Sequence, residues 1–183
     1  MKELSLHVLD VAKNSVKAGA TLTEIAITRA ADGMMTIKIS DNGCGMTEEV
    51  IRRVTDPFYT TRTTRKVGLG LPLWRLAAEQ TGGYMTVESS VEAGNSGTTV
   101  TAVFDTKSID CMPMGDIVST VCVLIAGSPD VDFLFTDTSD ERAISLDTRE
   151  MRVILGDGVP LDLPEVQTWI AEYLNEQYNN KKE

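Results

Sequence analysis

Asp41-Asn42-Gly43-Cys44-Gly45-Met46 is the stretch on which the fold turns. It follows Met35–Ser40, where Ile37 and Ile39 alternate with polar neighbours as in a strand buried on one face. As a plain turn, Asn42-Gly43 simply ends that strand. As a site, the two glycines let the backbone approach a flat ring, and the Asp41 carboxylate is placed to accept the proton of an exocyclic amine. Cys44 reads as a small filler, because no cation is expected beside it to activate the thiol.

On the N-terminal side, Thr23–Arg29 alternates in the same way, with Ile25 and Ile27 on one face. Ala30-Ala31-Asp32-Gly33 joins the two strands as a hairpin turn. Before them, Leu9, Ala12 and Val16 recur at helical spacing, so residues 4–18 are expected to be a helix, with Gly19 as its terminating glycine. On the C-terminal side, Thr47 caps a short helix that carries Glu48 and Glu49 in its first turn. Residues 55–67 read as a loop. Pro72 lies near the start of a second long helix, which ends at Gly82-Gly83. Tyr84–Ser90 and Thr98–Phe104 are two more strands, joined by a turn at Gly94-Asn95-Ser96-Gly97. The expected fold class is α/β, a two-layer α+β sandwich with helices on one face of a mixed, mainly antiparallel sheet.

The remaining residues read as helix 115–126, strand 131–137, strand 142–146, helix 148–155 and helix 164–178. Asp147 with Glu150 resembles a capping-box start. Charge separates this part from the first. Residues 1–106 hold 11 Lys/Arg and 12 Asp/Glu, whereas residues 107–183 hold 6 and 15. The expected organisation is therefore a domain over 1–105 and an acidic α/β extension over 106–183. The net charge of −10 argues against a nonspecific grip on nucleic acid. The longest apolar run, Val121–Ala126, is too short to cross a bilayer, and the start of the chain has no secretory or transit pattern. Cys44, Cys111 and Cys122 are odd in number and lack CxxC spacing, which points to a reducing, cytoplasmic setting.

Three further blocks carry chemistry. In the opening helix Glu3, His7, Asp10, Asn14 and Lys17 follow at intervals of 4, 3, 4 and 3, giving one polar stripe. Such a stripe usually means a solvated face. Its content also suits phosphate chemistry. Asn14 offers an oxygen to Mg²⁺, Lys17 a point charge to a phosphate, and Asp10 a carboxylate to orient a water or hydroxyl. Asp56-Pro57-Phe58-Tyr59-Thr60-Thr61-Arg62 is a loop that Phe58 anchors while Thr61 and Arg62 reach outward. Gly68-Leu69-Gly70-Leu71-Pro72 leads into a helix, and the free amides there form a phosphate cradle.

Taken in order, with Gly97-Thr98-Thr99 closing the set, these blocks resemble the GHKL (Bergerat-fold) superfamily of ATPases and kinases. The match is to its N box (Asp10, Asn14, Lys17), G1 box (Asp41 to Gly45), F box (Asp56 to Arg62) and G2 box (Gly68 to Leu71). The resemblance spans about residues 4–105. Asn14-Ser15 and Ala18-Gly19-Ala20 are similar to MutL, while Pro57-Phe58-Tyr59-Thr60-Thr61 is similar to a histidine kinase catalytic domain. It implies ATP and Mg²⁺ as ligands, with Asn14 on the metal and Asp41 on the adenine amine, assisted by Thr98 through a water. It further implies Gly43, Gly45 and Met46 along the base, and Lys17, Arg62 and the amides of Gly68, Leu69, Gly70 and Leu71 on the phosphates. Residues 59–67 would form a short lid.

Two departures shape the expected activity. Met1 lies three residues from the first helix, so no hairpin bearing a phosphoacceptor histidine is expected, and the only histidine, His7, reads as a polar residue at the pocket edge. The acceptor is then expected on a partner protein. Asp10 stands where hydrolysing members carry Glu and sensor kinases carry Asn. Its shorter reach predicts slow turnover, since a general base must come within ~2.6–3.2 Å of its proton. A nucleotide-gated interaction module without phosphotransfer is the competing expectation.

Overall fold

A computed structural model describes residues 2–56 and 70–180. Helix α1 (Leu4–Lys17) precedes the hairpin β1 (Leu22–Arg29) and β2 (Met34–Asp41). Helices α2 (Glu48–Thr55) and α3 (Gly70–Gln80) follow, then the hairpin β3 (Tyr84–Ser90) and β4 (Gly97–Asp105). The chain continues as α4 (Ile117–Gly127), β5 (Asp132–Thr138), β6 (Ala143–Asp147), α5 (Thr148–Leu155) and α6 (Pro164–Asn179). Each expected element is present within a few residues of its expected bounds.

The strands form one sheet in the order β3-β4-β2-β1-β5-β6. Every neighbouring pair is antiparallel except β1 and β5, which run parallel. Alternation sets the buried face. Ile25 faces Ile39, Ile37 faces Ala102, and Ile25 also faces Phe135 across the parallel pair. These residues and Phe104, Ile144 and Leu146 turn toward the helices and exclude water. A slip of one residue would turn the whole apolar set outward, so burial fixes the register.

The shift in charge at 105/106 coincides with no break in this sheet. Strand β5 docks on β1, and Phe133, Phe135, Leu124, Ile170 and Leu174 belong to the same apolar core as Val8, Ile37 and Trp74. The amides of Leu4 and Ser5, free at the start of α1, donate to the carbonyls of Pro113 and Met114 at 3.0 and 2.8 Å. A parallel pairing between segments over a hundred residues apart leaves no local mark in a sequence.

Local chemistry explains the element ends. Thr47 Oγ1 accepts from the Val50 amide at 3.4 Å and starts α2. Asp147 Oδ1 accepts from the Arg149 amide at 2.9 Å and starts α5. Among the described residues no helix is long and apolar enough to cross a membrane.

Candidate functional site

The G1 loop leaves β2 and turns back beneath α1. Its conformation depends on two glycines. Gly45 has φ +72°, and a Cβ there would fall 1.8 Å from the Ser90 carbonyl oxygen. Gly97, in the neighbouring strand, approaches Asp41 so closely that a Cβ would lie 2.1 Å from its carbonyl oxygen. No side chain fits either place, so the backbone itself forms the wall.

Asp41 is held by two donors. Ser15 Oγ donates to its Oδ2 at 2.6 Å, and the Gly43 amide donates to its Oδ1 at 2.9 Å. The Cys44 amide donates to the Ala18 carbonyl at 2.9 Å, tying the loop to the end of α1. Asn42 turns away from the cleft. Its side-chain oxygen accepts from the Thr21 and Leu22 amides at 2.9 and 3.0 Å, which fixes the start of β1. On the far wall, Ser89 Oγ lies 2.8 Å from Thr98 Oγ1, accepts from the Met46 amide at 2.8 Å and donates to the Gly97 carbonyl at 2.8 Å.

Between these elements is an open cleft of about 730 Å³, solvent at its mouth included. Its walls are apolar, from Val11, Ile39, Met46, Val54, Leu71 and Val100. Its polar points are Asn14, Ser15, Asp41 and Thr98. A mostly apolar slot with a few convergent polar groups suits a ligand with a flat ring and one polar edge.

The structure brings together Asn14, Asp41, Gly45, Met46, Leu71 and Thr98 along this cleft. Gly43 is buried at its base, where a Cβ would press on Ala18 at 2.9 Å. Gly70 opens α3 beside Asp10, and a Cβ on it would sit 3.5 Å from Asp10 Cβ. Asp10 and Lys17 are exposed on α1 and do not line the cleft. Phe58, Thr61, Arg62, Gly68 and Leu69 lie outside the described residues.

His7 departs from expectation. It is 2% exposed and stacks on Trp74, with ring centroids 6.4 Å apart and planes at 10°. The polar stripe is interrupted there because α3 lays its own aromatic residue over that turn of α1. Burial, followed by the charge of the N-terminus, lowers the His7 pKa, against a smaller opposing effect of Asp10. Its Nδ1 and the Trp74 Nε1 have no hydrogen-bond partner among the described residues.

Ser15, which lines the cleft, and Ser89, which bonds the cleft residues Met46 and Thr98, are candidate-site residues that the sequence did not single out. Ser15 was legible in principle. It stands four residues after Val11 and three before Ala18, on the helix face turned to the sheet. Ser89 gives no such signal, because its role depends on pairing with Thr98 across two strands.

A sheet with helices on one face and a glycine-walled cleft between α1, the G1 loop and α3 defines a GHKL-type ATP-binding fold. The profile of the histidine kinase-, DNA gyrase B- and HSP90-like ATPase family matches residues 2–108, more than half of the chain, and the chain belongs to that family. It is similar to a putative sensor protein of Shewanella frigidimarina, 31% identical over 96 residues, covering 51% of this chain and 15% of that protein. It is 39% identical over 67 residues to the sensor protein FixL of Bradyrhizobium diazoefficiens, covering 37% of this chain and 13% of that one. It is 33% identical over 102 residues to sporulation kinase B of Bacillus subtilis, covering 54% and 23%. The chain thus matches less than a quarter of each of these relatives. Among solved structures, the fold is like the Aquifex aeolicus MutL ATPase domain complexed with ADP, with a TM-score of 0.53 at 14% identity, covering 100% of this chain and 99% of that one. It is also like the N-terminal domain of a DNA repair protein, with a TM-score of 0.58 at 15% identity, covering 86% and 58%. The chain is a GHKL ATP-binding domain of histidine kinase type.

Proposed function

We propose that this chain binds ATP with Mg²⁺ in the cleft and transfers the terminal phosphate to a group on a partner protein. The carrying observation is the Asp41 carboxylate, fixed by Ser15 and Gly43 at the polar end of an apolar slot. A carboxylate so held has lone pairs left for the amine edge of adenine. Met46 and the Gly45 backbone flank the ring, and Thr98 supports the same edge through water. Asn14 would supply a protein oxygen to Mg²⁺, and the bound ion would supply charge neutralisation to the phosphates. Among the described residues no group of three His, Cys, Asp or Glu side chains forms a protein cage for a cation. Lys17, Arg62 and the amides at Gly68, Leu69, Gly70 and Leu71 are assigned to the phosphates.

In the transfer, the acceptor heteroatom bonds the terminal phosphorus as its bond to the ADP oxygen breaks, and Asp10 receives the acceptor's proton. The place of Asp10 beside Gly70, where the phosphate-binding loop enters α3, supports this role. We place the acceptor outside these 183 residues, because the only histidine among them is buried against Trp74. Residues 1–105 are assigned to the nucleotide, and the acidic extension 106–183, which shares the sheet and core, closes the domain core or forms a partner surface. A second reading, a nucleotide-gated interaction module, is favoured by the bonds that the Leu4 and Ser5 amides of α1, the helix that carries Asn14, donate to the Pro113 and Met114 carbonyls.

Calorimetry with MgATP tests the site. Wild type is expected to bind and Asp41→Asn to lose most of the affinity; no heat from wild type refutes the reading. Labelled ATP incubated with proteins retained by the immobilised chain tests transfer. Label is expected on a retained protein and strongly reduced with Asp10→Ala. Tight ATP binding with no labelled protein, together with partner affinity that differs between ADP and a non-hydrolysable analogue, selects gating instead.

A further inference from the structure

We infer that one flank of α6 is a docking surface for a basic segment of a partner protein. Helix α6 buries Val166, Ile170 and Leu174 in the core. Turned away from that seam, Trp169 and Tyr173 stack on each other in the open, with centroids 5.0 Å apart and planes at 11°. Trp169 is 47% exposed and Tyr173 36%. A tryptophan and a tyrosine stacked at a surface are the residue types that anchor protein interfaces.

Charge selects the occupant. Glu165, Glu172 and Glu176 lie one turn before, between and one turn after the two rings, and all three are exposed. None of them forms an ion pair among the described residues. The arginines of this half of the chain are already engaged. Arg149 pairs with Asp147, Arg152 pairs with Asp132, and Arg142 covers the Tyr178 ring. The flank therefore offers two aromatic faces and three carboxylates without an ion-pair partner among the described residues. Lysine or arginine side chains on a partner fit both, through cation–π contact and ion pairing, while acidic partners and anionic membrane surfaces are repelled. The inference stands apart from the nucleotide reading, because it needs no ligand in the cleft.

The test is fluorescence anisotropy of a labelled synthetic helical peptide carrying arginine and leucine on one face, measured with the full chain and no nucleotide. Saturable binding is expected, with the dissociation constant raised about tenfold or more by Trp169→Ala and raised also by Glu172→Gln/Glu176→Gln. A matched peptide with glutamate for arginine is expected not to bind. Equal binding by wild type and Trp169→Ala would mean bulk electrostatic attraction only and overturns the inference. So does an absence of binding by the arginine peptide. Sedimentation showing a dimer of the wild type that Trp169→Ala dissolves also overturns it, since a second copy would then own the surface.

Discussion

Ser15 Oγ donates to Asp41 Oδ2 at 2.6 Å, joining the inward face of α1 to the end of β2. The bond aims one carboxylate oxygen while the Gly43 amide holds the other. Both donors come from elements that also wall the cleft, so the carboxylate's direction is set before any ligand arrives. Pre-set direction lowers the ordering cost of binding.

Ser15→Ala is accordingly expected to weaken MgATP binding by about tenfold, the worth of one hydrogen bond to a charged group. Titration calorimetry reads the change directly. An unchanged dissociation constant would show that Gly43 alone suffices to aim Asp41.

The glycine wall predicts a contrast between two alanine substitutions. Gly45→Ala drives a Cβ into the Ser90 carbonyl at φ +72° and is expected to cost about 3 kcal/mol or prevent folding. Gly19 has a similar φ of +76° but nothing within 4 Å, so Gly19→Ala bears only the backbone cost of about 1 kcal/mol. Urea unfolding midpoints compare the two, and equal losses would remove the steric argument.

A buried carboxylate secures the C-terminal half. Asp137 is fully buried and accepts from Arg29 Nε and Nη2 at 3.0 and 2.8 Å and from the Tyr178 phenol at 2.8 Å. Burial and then Asp137 push the Tyr178 pKa far up, so its proton stays in place. Asp137→Ala strands the Arg29 guanidinium and is expected to cost about 3 kcal/mol. Tyr178→Phe removes one charge-assisted bond and is expected to cost about 1.5 kcal/mol. Denaturant titration by circular dichroism measures both.

His7 gives a pH dependence of definite sign. Its folded-state pKa lies below the ordinary 6.5, so between the two values the unfolded chain binds the proton and the folded chain does not. Its contribution to stability is thus complete above pH 6.5 and declines as pH falls through that window. His7→Phe keeps a ring against Trp74, removes the unpartnered Nδ1 and is expected to flatten the slope between neutral pH and the folded pKa. At neutral pH its stability is expected within about 1 kcal/mol of wild type or above it. Thermal unfolding across the pH range reads the slope, and one left unchanged by the variant would assign it to other groups.

The strands were legible because alternation with period two survives in Ile25/Ile27 and Ile37/Ile39 whatever they pack against. The helix ends were legible because Thr47, Asp147 and Gly19 act on backbone groups within a few residues. The cleft was legible in outline, since Asn14, Asp41, Gly45 and Thr98 meet there. His7 was not, because whether a polar helix residue meets water depends on what another helix lays over it.

By itself the sequence determined the elements, the buried face of each strand and the glycines that only a close backbone approach can use. These are consequences of near-neighbour geometry. The tertiary structure alone decided that β5 pairs parallel with β1, that Ser15 and Ser89 serve the cleft, and that His7 belongs to the core. Those depend on contacts between segments far apart in the chain, where burial and hydrogen-bond satisfaction are settled jointly and no short stretch carries the answer.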